Sequence, residues 1–266
     1  MSMEKRIDIA LVECGLCKSR ARAKNLLKEG SVLLNGTPCT KPSVLVTEND
    51  KLSLSGSDIP FVGRGGLKLQ EALSSFSLSV TNRVCMDIGA STGGFTDCML
   101  QNGASKVYAI DVGHDQLDVS LRTNNKVVNL EGMDVRRMQR EDFDEIPDFC
   151  SVDVSFISLN LVLPSIFQLT GECADYVVLV KPQFEAGKSS IGKKGIVKSA
   201  SVHVQVLENI LSFARNVGFT VHGLCLSPIR GGSGNVEYLA HLKKGCAESE
   251  FQPDLQMIVK QAGLGR

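Results

Sequence analysis

"VCMDIGASTGGFTDCMLQNGASKVYAIDVG", residues 84–113, decides the fold. An apolar strand near 84–88 closes around Asp87, and Gly89, Gly93 and Gly94 occupy the turn that follows. Glycine there lets the backbone approach a ligand and adopt positive φ. A helix near 93–102 and a second strand near 107–111 come next, and Asp111 closes that strand 24 residues after Asp87. A carboxylate at that point can accept both hydroxyls of an adenosine ribose. The order strand, glycine turn, helix, strand, acid is the opening unit of a doubly wound α/β sheet. The plainer alternative is a turn that needs glycine for its backbone alone. The dinucleotide fingerprint G-x-G-x-x-G fits poorly, because Ser91 replaces its second glycine.

Working outward, apolar strands and helical patterns keep alternating. Further strands read near 127–130, 149–153, 176–180, 219–226 and 236–243, with helices near 66–76, 115–121, 158–168 and 200–217. Residues 59–245 therefore read as one Rossmann-like, doubly wound α/β domain, and "SGSDIP", residues 55–60, as the linker before it. In the tail, 246–266, Leu255, Ile258, Val259 and Ala262 are spaced for a short helix.

The first 58 residues read as a separate small α+β unit. "RIDIALVECG" has helical spacing and stops at Gly15; "KSRARAKNLLKEG" restarts with Ser19 as N-cap and ends before Gly30. Ala23, Leu26 and Leu27 make its inward stripe, whereas Arg20, Lys24 and Lys28 line another face at i, i+4 and i+8. "SVLLNGTPC" gives a hairpin strand with an Asn35-Gly36 turn, and "SVLVTENDKLSL" two more short strands. Residues 15–30 hold five cations, Arg22 among them, and one acid. Such a run is either a solvated face or a nucleic-acid footprint. Two helices followed by a hairpin resemble the small RNA-binding domain named after ribosomal protein S-four. That resemblance implies phosphate contacts by the second helix, independent of base sequence.

Composition bounds the rest. Basic and acidic residues balance at 29 each, so any basic footprint is local. No apolar run approaches the roughly 20 residues of a membrane span, and "MSMEKRIDIALVECG" has no signal-like segment. The expectation is a soluble, cytoplasmic protein. Nine cysteines, thinly spread, suit reduced thiols better than a disulfide framework. Cys14 and Cys17 form one CxxC with no second pair at zinc-ligand spacing, so no metal is expected.

An acid two residues before the first glycine resembles D-x-G-x-(G/S)-x-G, common in S-adenosylmethionine-dependent methyltransferases. The resemblance implies that Asp87 holds the methionine ammonium and that Gly89, Ser91, Gly93, Gly94, Phe95 and Asp111 bind the cofactor. Asp134, in "EGMDVRR", either binds near the adenine or serves as a cap. A second stretch, "DYVVLVKPQFEAGK" at 175–188, ends an apolar strand abruptly on Lys181, and Pro182 forbids the ladder from continuing. Methyl transfer from a sulfonium needs an activated nucleophile in line with the methyl carbon. A ribose 2′-hydroxyl must give its proton to a base or have its charge stabilised. A lysine with pKa lowered by burial and a second ammonium can be that base. In doubly wound sheets the carboxyl ends of strands converge on the ligand crevice. Asp153 in "FCSVDVSFISL" and Lys181 should meet there; Lys68 in "FVGRGGLKL" and Glu237 in "GNVEYLAHL" complete the set.

Together with "RGGLKL", "DIGASTGGFTD", "DVSFISL", "KPQFEAG" and "SPIRGGSGNVEYL", these residues resemble the TlyA (haemolysin A) family of ribosomal RNA 2′-O-methyltransferases over residues 5–243. That family joins an S-four-type domain to an FtsJ-like domain. By resemblance Lys181 is the general base and Lys68 lowers its pKa and positions the ribose. Asp153 orients or balances the lysines, and Glu237 fixes Lys68 and the sugar. The resemblance further implies cytidine in ribosomal RNA, alone or in a ribosomal subunit, as target. Family members often carry Ser where this chain has Gly63, which should loosen the linker slightly.

Lys188, Lys193, Lys194 and Lys198 are interleaved with Gly187, Gly192 and Gly195, as a cationic loop for an RNA backbone or as a solvated loop. Arg64 reaches phosphate or pairs with an acid, and His203 reads as a packed or capping histidine. "GKS" at 187–189 is no P-loop, because Pro182 stands where its first glycine should be. Rival chemistries lack their parts. "VKPQF" is not the (D/N/S)-P-P-(Y/F) of adenine N-methylation, and the Pro-Cys pair, Pro38-Cys39, lies in the hairpin of the small unit. Two readings from other classes stand beside the enzyme: a catalytically silent RNA-binding or ribosome-assembly protein, and a haemolysin, which should show membrane segments.

Overall fold

In the computed structural model, residues 4–17, 20–28, 30–54, 59–187, 190–192, 195–232, 234–245 and 251–264 are described. Ser19, Lys188, Lys193 and Lys194 lie outside them. The chain divides into two units, Met1–Pro60 and Phe61–Arg266.

In the first unit, β1 (Lys5–Arg6) pairs antiparallel with β4 (Leu45–Val46), and α1 (Ile7–Glu13) and α2 (Arg20–Lys28) follow β1. β2 (Val32–Leu34) lies between β3 (Thr37–Cys39) and β5 (Leu52–Leu54). The turn is where the sequence places it: Asn35 and Gly36 both have positive φ and join Leu34 to Thr37. Ile7, Ala10 and Leu11 of α1 bury against Ala23, Leu26 and Leu27 of α2, so the apolar stripe of the second helix faces inward.

The second unit contains α3 (Gly65–Ser75), then β6 (Val84–Ile88), α4 (Gly94–Gln101) and β7 (Lys106–Asp111). Next come α5 (Val119–Arg122), β8 (Val127–Glu131), β9 (Phe149–Val152), α6 (Leu163–Leu169), β10 (Asp175–Val180) and α7 (Pro182–Glu185). The chain ends with α8 (Ala200–Val217), β11 (Thr220–Leu226), β12 (Tyr238–Lys243) and α9 (Leu255–Gln261). Seven strands form one sheet in the order β11-β12-β10-β9-β6-β7-β8, parallel except that β12 runs antiparallel to both neighbours. All six residues of β10 are buried, as a strand covered on both faces requires. α8 buries Val204, Leu207, Ile210 and Leu211 against the sheet, and Ile258, Val259 and Ala262 of the C-terminal segment join the same core.

Two helices differ from the sequence reading. Residues 115–118 are irregular and α5 starts only at Val119, because the Asp118 carboxylate caps the Ser120 amide and Glu131 accepts from the amides of Gln116 and Leu117. The helix expected over 158–168 splits into a 3-10 turn, Leu159–Leu161, and α6, with Pro164 in the first turn of α6 where its missing amide costs nothing.

At the rim where β10 begins, Asp175 gathers positive partners. It accepts from Arg83 Nη1 at 2.8 Å and lies 2.9 Å from His241 Nε2 and 3.7 Å from Lys243 Nζ. Burial alone would raise its pKa; the hydrogen bonds from His241 and Arg83 outweigh burial and bring it to about 2. A carboxylate held below its unfolded value stabilises the fold above that value, about 3.9, and the contribution fades as pH falls through about 2. Asp175→Asn should therefore cost about 2 kcal/mol at pH 7 and lower the melting temperature by several degrees. Thermal melts of both proteins should converge as pH is lowered from about 4 toward 2; a gap independent of pH would contradict this account.

Candidate active site

The opposite rim holds the glycine turn. Gly89 has φ +82°, and a β-carbon there would lie 2.5 Å from the Asp153 carbonyl oxygen, so only glycine lets β6 pass this close to the end of β9. The Asp153 amide in turn donates to Ile88 O at 2.8 Å. Gly94 meets the start of α3 in the same way: its β-carbon would stand 2.9 Å from the Gly66 amide nitrogen. A β-carbon at Gly63 would lie 2.7 Å from Thr92 Oγ1, so a serine there would require the Thr92 side chain to shift.

These contacts set four charged side chains at one edge. Lys181 follows β10, and Nζ lies 2.5 Å from Asp153 Oδ1 and donates to Ser155 Oγ at 2.8 Å. Lys68, on α3, donates to Glu237 Oε2 at 2.6 Å. Glu237 directly precedes β12. Because that strand is antiparallel, its start lies beside the carboxyl end of β10, with Tyr238 paired to Val180. Gln183, on α7, donates from Nε2 to Glu237 Oε1 at 3.2 Å. Its Oε1 is buried and has no partner among the described residues.

The cofactor expectations divide. Asp111 is half-buried at the end of β7 and accepts from the amides of Ser91 (2.8 Å) and Gly113 (2.7 Å), which holds the turn against the strand end. Ser91 is exposed on that turn with φ +49°, and Gly93, φ +93°, caps α4. The exposed apolar side chains Val112 and Met133 follow β7 and β8. Asp87, by contrast, is fully buried: it accepts from Thr96 Oγ1 at 2.6 Å and Ser151 Oγ at 2.8 Å. Burial pushes it up to about 6. Both hydroxyls hold its carboxylate beneath the turn. Phe95 is buried against Gly65 and is likewise packing. Asp134 is the cap of its alternative reading: it caps Arg136 N at 3.0 Å and takes Arg136 Nη2 at 2.6 Å, and the hydrogen bond from Arg136 lowers its pKa.

The basic residues divide too. Arg20 turns to Asp8, a fully buried carboxylate 3.1 Å away that Arg6 also holds at 3.0 Å. Arg22 is half-buried, and Lys24 and Lys28 are exposed. Arg64 caps α3, half-buried, and pairs with no acid among the described residues. Lys198 is exposed, and His203 is fully buried between Tyr238 and Val197.

Sequence reasoning passed over an aromatic pair beside Lys181. Phe156 is 91% exposed with φ +64°, a conformation that a bulky residue avoids. Its ring centroid lies 5.0 Å from that of Phe184, over which Lys181 Nζ stands at 5.8 Å. Glu185, its pKa raised by burial, accepts from Ser158 Oγ (2.6 Å) and the Leu159 amide (2.9 Å), which ties the Phe156 loop to α7. The apolar run of "DVSFISL" gave no signal of that exposure, which comes from backbone strain. Among the described residues no group of three or more His, Cys, Asp or Glu is arranged to hold a metal ion.

Comparison with known proteins agrees with this architecture. Residues 61–244 match the FtsJ-like methyltransferase family and residues 5–52 the S4 domain. The chain is 40% identical over 244 residues, 91% of each protein, to the 16S/23S rRNA (cytidine-2′-O)-methyltransferase TlyA of Mycobacterium tuberculosis. It is 41% identical over 237 residues to Hemolysin A of Brachyspira hyodysenteriae, covering 89% of this chain and 98% of that one. A solved structure from Streptococcus thermophilus, titled a hemolysin, superposes with a TM-score of 0.79 at 44% identity, covering 99% of this chain and 97% of the other. No helix among the described residues is long and apolar enough to cross a membrane. On residues 61–244 and on identity sustained over nine-tenths of its length, the chain belongs to the FtsJ-like methyltransferase family, in its TlyA branch.

Proposed function

We propose that this protein transfers the methyl group of S-adenosylmethionine to the 2′-hydroxyl of a cytidine ribose in ribosomal RNA. The observation that carries the reading is the meeting of two lysine–carboxylate pairs, Lys181–Asp153 and Lys68–Glu237, at the sheet edge lined by the glycine turn. The residues present suit the cofactor: the glycine turn exposes Ser91 at the strand ends, Asp111 offers a carboxylate at the end of β7, and Val112 and Met133 offer apolar surface for an adenine. When bound, S-adenosylmethionine supplies a methyl group on a sulfonium that departs as a neutral thioether, so no acid is needed for the leaving group.

The chain's own residues then have separable tasks. Lys181 Nζ directs hydrogens at Asp153 and Ser155. That leaves one tetrahedral position, which in the free amine is the lone pair that takes the hydroxyl proton. Lys68 uses one hydrogen on Glu237 and has others for the ribose or the oxygen charge developing on it. Gln183 fixes the second oxygen of Glu237 and presents a buried acceptor that a substrate hydrogen would satisfy. Phe156 offers a face on which the target base stacks once it leaves its helix. The TlyA protein of M. tuberculosis is named for cytidine 2′-O-methylation, which supports the same target here. Lys24 and Lys28 carry the phosphate contacts of the S4 domain, beside an exposed Arg20 that also pairs with Asp8.

Three outcomes are expected. Lys181→Ala should reduce methyl incorporation from labelled donor into unmethylated rRNA by about 10²-fold or more. Calorimetric binding of S-adenosylhomocysteine should change little; incorporation at the wild-type rate would remove Lys181 from the chemistry. Phe156→Ala should raise KM for rRNA about 10-fold, the worth of one stacked base, and leave thermal melts little changed, because the ring is exposed and alanine keeps the β-carbon. An unchanged KM would count against the stacking role. Lys24→Glu with Lys28→Glu should weaken rRNA binding and flatten its dependence on log salt by about one unit per lysine, as filter binding across salt concentrations reads directly.

A further inference from the structure

"SPIRGGSGNVEYL", residues 227–239, brings Glu237 to the site, yet the most buried polar side chain in that stretch, Asn235, has no part in the chemistry above. Asn235 is 2% exposed. Its Oδ1 accepts from the Val197 amide at 3.1 Å, and its Nδ2 donates to the Gly195 carbonyl at 2.9 Å. These two contacts fix the amide, since the reversed orientation would oppose donor to donor and acceptor to acceptor. Val197 is itself buried, and its carbonyl lies 3.0 Å from His203 Nε2. The other ring nitrogen of His203 lies 2.9 Å from the Tyr238 hydroxyl. Burial lowers the pKa of His203 and so favours the neutral ring. In that ring Nε2–H donates to Val197 and Nδ1 accepts from Tyr238.

The residues so joined flank Glu237: Asn235 two positions before it, Tyr238 one after. The Asn235 carbonyl also accepts from the Gly231 amide at 2.9 Å, and a β-carbon on Gly231 would collide with Glu237 Oε1. The turn that Asn235 closes therefore presses on the carboxylate that holds Lys68. On the far side of the seam, Lys198 follows Val197 directly and is exposed.

We infer that Asn235 is a positioning residue that fastens the limb 195–198 to the start of β12, so that RNA backbone engaging Lys198 and the carboxylate of Glu237 move as one body. This rests on the methyl-transfer reading. RNA phosphate is the natural partner of an exposed lysine on such a limb, and misplacement of a catalytic group by about 1 Å costs about 10²-fold in rate.

The test uses the full-length protein and unmethylated rRNA, with wild type, Asn235→Ala and His203→Phe, which cut the seam on its two sides. Each variant should lose about 10- to 100-fold in kcat, while KM for rRNA and the Kd for S-adenosylhomocysteine stay within about twofold. Unchanged kcat in Asn235→Ala would overturn the inference, as would a change confined to KM. If both variants lose S-adenosylhomocysteine binding and melt early, the seam merely supports the fold, and the inference fails in that way too. Wild type that transfers no methyl group would instead remove the reaction itself, and with it the inference.

Discussion

Four ionisable side chains lie nearly out of water at one rim of the sheet, and each is tolerable there only because of another. Lys68 and Glu237 are 9% and 3% exposed at their side chains, Lys181 and Asp153 9% and 20%. Moving one such charge from water costs several kcal/mol, and removing a partner from a buried pair typically costs about 3–5 kcal/mol. The partners are far apart in sequence: Lys68 and Glu237 are separated by 169 positions. Only an arrangement that brings α3, β9, β10 and β12 to a common edge satisfies all four. The reversal of β12 is the decisive feature. A parallel β12 would begin at the other rim, beside Asp175, and would leave Lys68 without its carboxylate.

The two rims differ in how completely their groups are matched. At the Asp175 end, one carboxylate is met by a guanidinium, an imidazole and an ammonium, and its pKa falls to about 2. That is what charges do when they serve stability. At the other end Gln183 Oε1 is buried without a partner among the described residues, and Phe156 holds an unfavourable backbone angle while exposing its ring. Unmet polar groups and strain at one location are costs that a fold bears where a ligand completes the set. The tightly matched rim anchors the strands whose other ends carry the incomplete one.

What the sequence made legible follows from periodicity and punctuation. The alternation of apolar strands with helices, the Asn35-Gly36 turn, and Lys181 stopped by Pro182 are local signals, and the structure has each of them. Glu237 was legible only through resemblance, because the convergence of carboxyl ends says nothing about an antiparallel strand. Asp87 and Asp134 show what local pattern leaves open. A carboxylate near a glycine turn reads as a ligand-binding group, but whether it faces the cleft or a neighbouring hydroxyl depends on side chains brought from elsewhere. Ser151 comes from β9, and its hydroxyl helps hold Asp87 beneath the turn. Arg20 is similar: its helical spacing places it with Lys24 and Lys28, and it also pairs with Asp8 of α1 while its side chain stays 55% exposed. Such tertiary partners leave no mark on local pattern.

The pairing of Arg20 with Asp8 bears on how a chain of zero net charge would engage RNA. Arg20 shares the fully buried Asp8 carboxylate with Arg6, so a phosphate would compete with that carboxylate for its exposed guanidinium. Lys24, at the middle of α2, and Lys28, in its last turn where the dipole favours positive charge, are the exposed lysines of that helix. Contacts of that kind read no base and weaken steeply with salt. In the proposed reaction, selection of one nucleotide must then come from the cleft, where an aromatic face, a buried acceptor and two ion pairs surround the space beside the glycine turn. Retention on RNA and choice of target are thus assigned to different physical interactions. A protein whose charges cancel overall can still bind a polyanion, provided that its cations are concentrated and its acids are already paired.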